Sequence, residues 1–330
     1  MARFIGAALT LCIVTLFAAL GRAGEVRPKF PPDETLTVPS LTLTDEQFLR
    51  GNTANGVAVT LTGQLRFPSW NEHLPAVVLL HGSNGAANST PALRWGEFLN
   101  RMGIATFRLD SFGGRGIDQV ETDQSRLSSF AQFYDTYRAV DVLANHPRID
   151  PSRIGVMGFS RGATAALYTS MRHFQALHGP TKARIAAHLS FYPACNIHFV
   201  DELDIVDAPV REFHGAADDT TLAVTCLGYI TRLNAAGKDA VMTEYPGAHH
   251  GFDNPDARLV SVSQSAQSSR NCQRREEDGK ILNVETGKPF TFNDACVELG
   301  STVGYDKAAT EAAQATVKKF LTGVFRLKRP

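Results

Sequence analysis

Short apolar segments alternate with helical segments along most of the chain, and this alternation constrains the fold more than any other feature. The run Ala76-Val77-Val78-Leu79-Leu80 is continuously apolar, as in a strand that is covered on both faces. The pattern predicts strands at 57–67, 76–80, 104–109, 154–157, 185–191, 210–214 and 240–245. It predicts helices at 91–102, 129–145, 161–173, 221–236 and 306–322. Strands that alternate with helices form βαβ units, so we expect an α/β fold with a doubly wound, mostly parallel sheet and helices on both faces.

The N-terminus differs in composition from the rest of the chain. Arg3 precedes an apolar run at 4–20 that ends in small residues, which is typical of a secretory signal peptide at 1–23. An uncleaved membrane anchor is the alternative, because the run approaches the length of a spanning helix. From its composition, we expect the Pro- and Thr-rich segment at 24–53 to be an extended arm. We expect 54–330 to form one domain, with no stable membrane span after signal removal.

The cysteines agree with export. Signal removal takes away Cys12 and leaves four cysteines in a chain bound for an oxidising compartment, periplasmic or extracellular. Three pairings of the four are possible, and proximity in sequence favours Cys195 with Cys226 and Cys272 with Cys296. Metal binding is the rival interpretation, but no CxxC or HxxxH spacing supports it.

One segment, at about 253–304, interrupts the strand–helix rhythm. It is polar, has no clear periodicity and contains the second cysteine pair. Long segments of this kind inside a compact domain are functional loops or insertions, so we expect an insertion stapled by its own disulfide.

The charge balance indicates the kind of partner. The chain has 33 basic and 33 acidic residues, and neither sign forms a long run. Because nucleic-acid-binding proteins carry clustered positive charge, the sequence favours a small-molecule partner over nucleic acid.

The segment Gly158-Phe159-Ser160-Arg161-Gly162 matches the GxSxG pattern between a predicted strand and a predicted helix. A sharp turn at this place exposes the serine hydroxyl and leaves little room for side chains at the two glycines. We therefore expect Ser160 to be a nucleophile, and the alternative is that it caps the helix.

A serine nucleophile needs a histidine base and an acid that orients the histidine, in the chain order Ser, Asp or Glu, His. Asp218 and Asp219 follow the predicted strand at 210–214, and only one of two adjacent residues can point inward. We favour Asp218, which is nearer the strand, and Asp219 is then a helix cap. His249 and His250 follow the next predicted strand, and we favour His250 as the base.

An oxyanion hole needs two backbone N–H groups. We expect the backbone N–H of Arg161, the residue after Ser160, to be one of these donors. We expect the second donor to be the backbone N–H of Ser83 or Asn84, in the loop after the strand at 76–80. The alternative is that this loop is a glycine-rich turn without a catalytic role.

These residues together resemble the dienelactone hydrolase family of the α/β-hydrolase superfamily, over roughly 76–252 and the final helix. The likeness rests on the segments 80–82, 109–116, 158–162, 214–218 and 245–252. It implies the α/β-hydrolase fold, with Asp218 as the acid and His250 as the base. The dienelactone-cleaving members use cysteine where this chain has Ser160, so a general ester or related acyl substrate is expected instead.

The sequence thus predicts an exported serine hydrolase that cleaves an ester or related acyl bond of a small molecule without a cofactor or a metal. A peptidase or amidase with the same triad is the alternative among enzymes. A non-catalytic binding protein on the same scaffold is the alternative outside enzymes. The loop at 110–116, including Arg115, either lines the pocket or stabilises the fold through a salt bridge.

Overall fold

The computed structural model of the protein describes residues 31–327. The predicted signal peptide at 1–23 and the start of the predicted arm lie outside the described residues, so both stay predictions. Within 31–327, no helix is both long enough and apolar enough to cross a membrane.

A central sheet of eight strands organises the molecule. In spatial order its strands are β1 (Glu34–Thr42), β2 (Val57–Arg66), β4 (Ala105–Asp110), β3 (Leu74–Leu80), β5 (Ile149–Phe159), β6 (Ile185–Phe191), β8 (Val210–Gly215) and β9 (Ala240–Tyr245). The six strands from β4 to β9 run parallel, whereas β2 is antiparallel to both of its neighbours. The predicted α/β class and the mostly parallel sheet are confirmed.

Helices cover both faces of this sheet. They are α1 (Asp45–Leu49), α2 (Thr90–Arg101), α3 (Phe130–Ala144), α4 (Arg161–Tyr168), α5 (Arg172–His178), α6 (Ala223–Ala235) and α7 (Lys307–Val324). On β3, Val77 and Leu79 share a core with α2 and α7, while Val78 and Leu80 share a core with α3 and α6. Successive side chains of a strand point to opposite faces, so a strand covered on both sides is apolar throughout, as the sequence indicates.

The helix predicted at 161–173 is two helices. Its interruption has a backbone cause: the amide of Val206 donates to Ser170 O at 2.9 Å, and the amide of Arg172 donates to Asp204 O at 2.8 Å. These bonds to the loop before β8 replace helical bonds, so α4 ends at Tyr168 and α5 begins at Arg172.

In its described part, the segment at 24–53 that was predicted as an extended arm is an edge strand followed by a short helix. β1 is hydrogen-bonded to β2 over its whole length as the edge strand of the main sheet, and α1 follows it. Val38 and Ser40 of β1 are buried. Pro39 disfavours a strand assignment from the sequence, because proline has no N–H to donate. An edge strand tolerates such a residue.

The insertion at 253–304 is largely strands and turns. Four strands lie in it: β10 (Ser261–Ser268), β11 (Arg274–Glu277), β12 (Lys280–Asn283) and β13 (Glu298–Val303). β10 pairs with β13, and β11 lies between β12 and the short strand β7 (Ile197–His198) of the main domain. Disulfides join Cys195 to Cys226 and Cys272 to Cys296, which confirms the favoured pairing.

Candidate active site

Ser160 lies on a strained turn between β5 and α4. Its backbone has φ 53° and ψ −119°, a conformation that a residue with a side chain adopts only where the surroundings enforce it. A Cβ atom on Gly158 would collide with the Gly162 carbonyl group, and one on Gly162 would collide with Leu80 O. The two glycines therefore let β5 and α4 approach closely enough to hold Ser160 at the turn.

Three predicted side chains from distant parts of the chain meet at this turn. His250 Nε2 lies 2.9 Å from Ser160 Oγ, and His250 Nδ1 lies 2.8 Å from Asp218 Oδ2. Because the carboxylate accepts from Nδ1–H, Nε2 is free to accept the serine proton. The arrangement has the connectivity of a nucleophile, a base and an orienting acid.

Asp218 is buried but well supplied with donors. Its Oδ1 accepts from the amides of Thr220 at 2.8 Å and Thr221 at 2.9 Å. Burial alone would raise the pKa of the Asp218 carboxyl, but the nearby rings of His250 and His214 hold that pKa well below its usual value. Asp218 is therefore ionised at neutral pH and can orient the ring of His250.

The alternatives Asp219 and His249 point elsewhere. Asp219 accepts from Thr302 N at 2.7 Å and from Thr302 Oγ1 at 2.6 Å, so it anchors β13 and does not cap a helix. His249 Nδ1 lies 3.1 Å from Ala217 O. Neither side chain has a hydrogen bond to Ser160 among the described residues.

The loop after β3 also lies close to Ser160. A Cβ atom built on Gly82 would lie 3.4 Å from the Cβ of Ser160, and Ser83 borders the same cavities as Ser160. Within the described chain, no protein acceptor takes the backbone N–H of Ser83 or of Arg161. Both predicted donors are thus available at this corner, and the choice between Ser83 and Asn84 stays a prediction.

His81 holds this loop, a role that its place in the sequence motif did not indicate. Its Nδ1 lies 2.8 Å from Gly82 O, and its Nε2 accepts from Ser111 N at 3.2 Å. Burial lowers the pKa of His81 to about 4, so the ring is neutral and can donate at one nitrogen while it accepts at the other. The signal was a histidine directly after a buried strand.

A family model describes the same region of the chain. The model of the dienelactone hydrolase family matches residues 62–325, which include the whole site. The chain belongs to the dienelactone hydrolase family. It is therefore a hydrolase with the α/β-hydrolase fold, similar to carboxylic ester hydrolases.

Solved structures agree with this fold. A dienelactone hydrolase-like promiscuous phosphotriesterase from metagenomic libraries has a TM-score of 0.59 and 15% identity, with 88% of this chain and 98% of that chain covered. Est1E from Butyrivibrio proteoclasticus has a TM-score of 0.50 and 14% identity, with 81% of this chain and 96% of that chain covered. At such identities the likeness concerns the fold alone.

In this family member, the loop at 110–116 has a structural role. Arg115 Nη1 lies 2.7 Å from Asp135 Oδ2, and both side chains are buried. Asp110 Oδ1 accepts from the amides of Phe112 and Gly113, each at 2.9 Å. Among the described residues that line the two cavities at Ser160, neither Asp110 nor Arg115 is present.

Two cavities border Ser160 and share several lining residues with each other. One, of about 750 Å³ including its open mouth, extends from Ser160 to Arg274 and Phe292 of the insertion. The other is bordered by Tyr192, His250 and parts of β10 and β13.

The first cavity contains two buried guanidinium groups, of Arg161 and Arg274. Arg161 donates to Gln124 Oε1 at 2.9 Å and to Leu127 O, and Arg274 donates to Asn196 Oδ1 at 2.6 Å. Neither forms an ion pair with a described residue, and the Nε atom of each has no partner there. Burial lowers the pKa of each to about 10, which leaves both charged at neutral pH. The sequence did not indicate Arg274, because it comes from the aperiodic insertion.

A polar cluster supports the ring of His250. Tyr192, itself at φ 48°, places its ring centroid 4.6 Å from that of His250. Its hydroxyl donates to Asp253 Oδ1 at 2.7 Å, and Trp95 Nε1 donates to Asp253 Oδ2 at 2.7 Å. Burial raises the pKa of Asp253 to about 6 despite these two donors. The cluster fixes Tyr192 against the histidine.

Proposed function

We propose that this protein is a serine hydrolase that cleaves an ester or related acyl bond of a small molecule through an acyl-enzyme on Ser160. The observation that carries the proposal is the continuous hydrogen-bonded series from Ser160 Oγ through His250 to Asp218, with contacts of 2.9 and 2.8 Å. A hydroxyl becomes nucleophilic when a positioned base accepts its proton.

In the proposed reaction, Ser160 Oγ attacks the acyl carbon while His250 Nε2 accepts the hydroxyl proton. Asp218 stabilises the imidazolium that forms. The backbone amides of Arg161 and Ser83 would hold the negative oxygen of the tetrahedral intermediate. His250 then gives its proton to the leaving alcohol, and a water molecule, deprotonated by the same base, releases the acid and restores Ser160.

The two unpaired guanidinium groups of the first cavity support a substrate with an anionic group. A buried charge without a counter-ion is unfavourable, and the protein does supply a carboxylate to its other buried arginine, Arg115. Arg161 and Arg274 line the same cavity as Ser160, and no described carboxylate is paired with either of them. We therefore propose an ester whose acyl part or alcohol carries a carboxylate or a similar anion.

Export is also part of the proposal. The two disulfides fit an oxidising compartment, periplasmic or extracellular, and the composition of 1–23 fits a signal peptide.

The function is tested by turnover of matched substrates. We expect p-nitrophenyl esters to be cleaved by the wild type and not by Ser160→Ala, and the matching anilides to be cleaved more slowly. Faster anilide cleavage would indicate an amidase or peptidase. Equal turnover by the wild type and Ser160→Ala would contradict the serine mechanism.

A further inference from the structure

A buried pair of ionisable side chains lies directly behind Asp218. Glu212 and His214 are two residues apart on β8, so they point to the same face of the sheet. Both side chains have no exposed surface. β8 is an inner strand between β6 and β9, and a carboxyl in that position is stable only when it is paired.

The contacts of His214 define its protonation. Its Nδ1 lies 2.6 Å from Glu212 Oε1, and its Nε2 lies 2.6 Å from Thr221 O and 3.4 Å from Asp218 Oδ2. A carbonyl oxygen only accepts, so Nε2 carries a hydrogen, and the short contact at Nδ1 holds a second one. With that hydrogen on Nδ1, the ring is an imidazolium between two carboxylates.

The electrostatics agree with this geometry. Burial alone would lower the pKa of His214, but Glu212 and Asp218 raise it to about 10. Burial raises the pKa of the Glu212 carboxyl, and the hydrogen bond with His214 opposes that rise. The pair is neutral as a whole, and its positive end faces Asp218.

These residues do not form a metal site. Glu212, His214 and Cys226 are the one group of possible metal ligands among the described residues. However, the sulfur of Cys226 is bonded to Cys195, so no thiolate is available, and both nitrogens of His214 face acceptors.

We infer that Glu212 and His214 are positioning residues, which hold Asp218 and the turn after it in place and keep a positive charge beside it. This inference rests on the proposed function, because it requires Ser160 and His250 to act as nucleophile and base. His214 donates to the carbonyl of Thr221, whose amide in turn donates to Asp218 Oδ1 at 2.9 Å. Loss of His214 would release this turn.

The charge on His214 also acts on the base. Asp218 Oδ2 lies between His214 Nε2 at 3.4 Å and His250 Nδ1 at 2.8 Å. When His250 gains a proton, two cations share one carboxylate, so the charged His214 opposes that protonation.

Three other ionisable groups face Glu212, His214 or His250, and they are the same in the wild type and in the variants described below. Glu244 of β9 lies opposite His214 in register but is exposed to water, which screens its charge. Asp253 is buried and close enough to His250 to interact with it, and Tyr192 contributes its ring. None of these three is altered in the variants below.

The first test measures the protonation of His214 directly. In protein with ¹⁵N-labelled histidine at pH 8, we expect one ring with both nitrogens protonated, and we expect its signals to be absent from Glu212→Gln/His214→Gln. A wild type in which His214 is a neutral ring would overturn the inference. This readout requires no catalytic activity.

The second test uses the same double variant, which keeps amide donors and acceptors of similar size but removes both charges. We expect kcat/KM per active site to fall about tenfold, with KM nearly unchanged, because Asp218 is held less firmly. We expect the acid limb of the kcat/KM profile to move to higher pH by about half a unit.

His188→Gln is the matched control, because His188 is a fully buried histidine of the neighbouring strand β6 that contacts none of the three triad residues. We expect its acid limb to stay in place. If the double variant has a wild-type profile, the positioning inference fails while the proposed function stands. If the wild type cleaves no ester at any pH, the proposed function fails, and the positioning role fails with it. If the double variant does not fold, the protonation state of His214 in the wild type still tests the inference.

Discussion

At the scale of single residues, the turn at Ser160 depends on two glycines, Gly158 and Gly162, that have no side chain. The strained backbone of Ser160 is held because Gly158 and Gly162 allow β5, α4 and β3 to meet without intervening side chains. The sequence pattern predicts this turn because the steric requirement is local.

Gly158→Ala tests this requirement. The new methyl group would collide with backbone atoms of Gly162, so we expect the free energy of unfolding to fall by about 2 kcal/mol or more and turnover to fall with it. Gly323→Ala in α7 is the control: its methyl group would meet no atom within 4 Å, and a helical alanine is favoured over glycine by roughly 0.5–1 kcal/mol. Equal urea midpoints for the two variants would contradict the steric argument.

Arg274→Gln tests the anionic subsite. Loss of one charge-assisted hydrogen bond to the ligand should lower kcat/KM about 10- to 100-fold for a p-nitrophenyl ester whose acyl chain carries a carboxylate. The methyl-capped neutral analogue should be affected little. Arg275→Gln is the control, because Arg275 is the next residue of β11 and is paired with Glu277 outside the cavity. An equal loss of kcat/KM on both substrates would contradict an anionic subsite at Arg274.

Some residues of the site could not be chosen from the sequence. Asp218 and Asp219 are adjacent and chemically identical, so only the direction of each side chain separates the one at His250 from the one that anchors Thr302. The role of Arg274 depends on where the insertion packs against the rest of the domain, and no local sequence pattern predicts that.

At the scale of elements, the sequence predicted the strands of the parallel sheet, whose centres are apolar, and the longer helices, whose burial is periodic. It missed β1, because Pro39 and the threonines favour a loop assignment although edge strands tolerate them. It also missed the strands of the insertion, whose side chains are polar and mostly exposed or half-buried. β11 pairs with β7 of the main domain, and the Cys272–Cys296 bond joins the segment before β11 to the segment before β13, so hydrophobic alternation does not mark these strands.

The disulfide of the insertion is expected to be structurally important. Its cysteines are 24 residues apart, so Cys272→Ser/Cys296→Ser should lower the free energy of unfolding by about 2–4 kcal/mol. Because Arg274 lies two residues after Cys272, KM for the carboxylate ester should rise more than KM for the neutral analogue. Urea unfolding and steady-state kinetics check both effects, and unchanged values for both would mean that β11 is held without the bond.

At the scale of the whole molecule, buried neutral histidines predict a loss of stability in acid. Burial lowers the pKa of His81 and of His188 to about 4, below the usual value of 6.5. Between pH 6.5 and 4 the unfolded chain therefore binds more protons at these positions than the folded protein does, so stability falls as the pH falls.

Each of these histidines contributes up to about 3 kcal/mol across this window, because one pKa unit corresponds to about 1.4 kcal/mol. Urea unfolding at pH 7 and pH 4 should show the loss, and His188→Gln should lose less between the two pH values than the wild type. An identical pH dependence in the variant would contradict this explanation.

The central claim is that Ser160 is a nucleophile activated by His250 and Asp218, and its reaction with a fluorophosphonate tests this most directly. We predict stoichiometric labelling of the wild type at neutral pH, with the added mass on the peptide that contains Ser160, and strongly slowed labelling in His250→Gln. Absence of labelling in the folded wild type, or labelling of another residue at the same rate in Ser160→Ala, would contradict the claim.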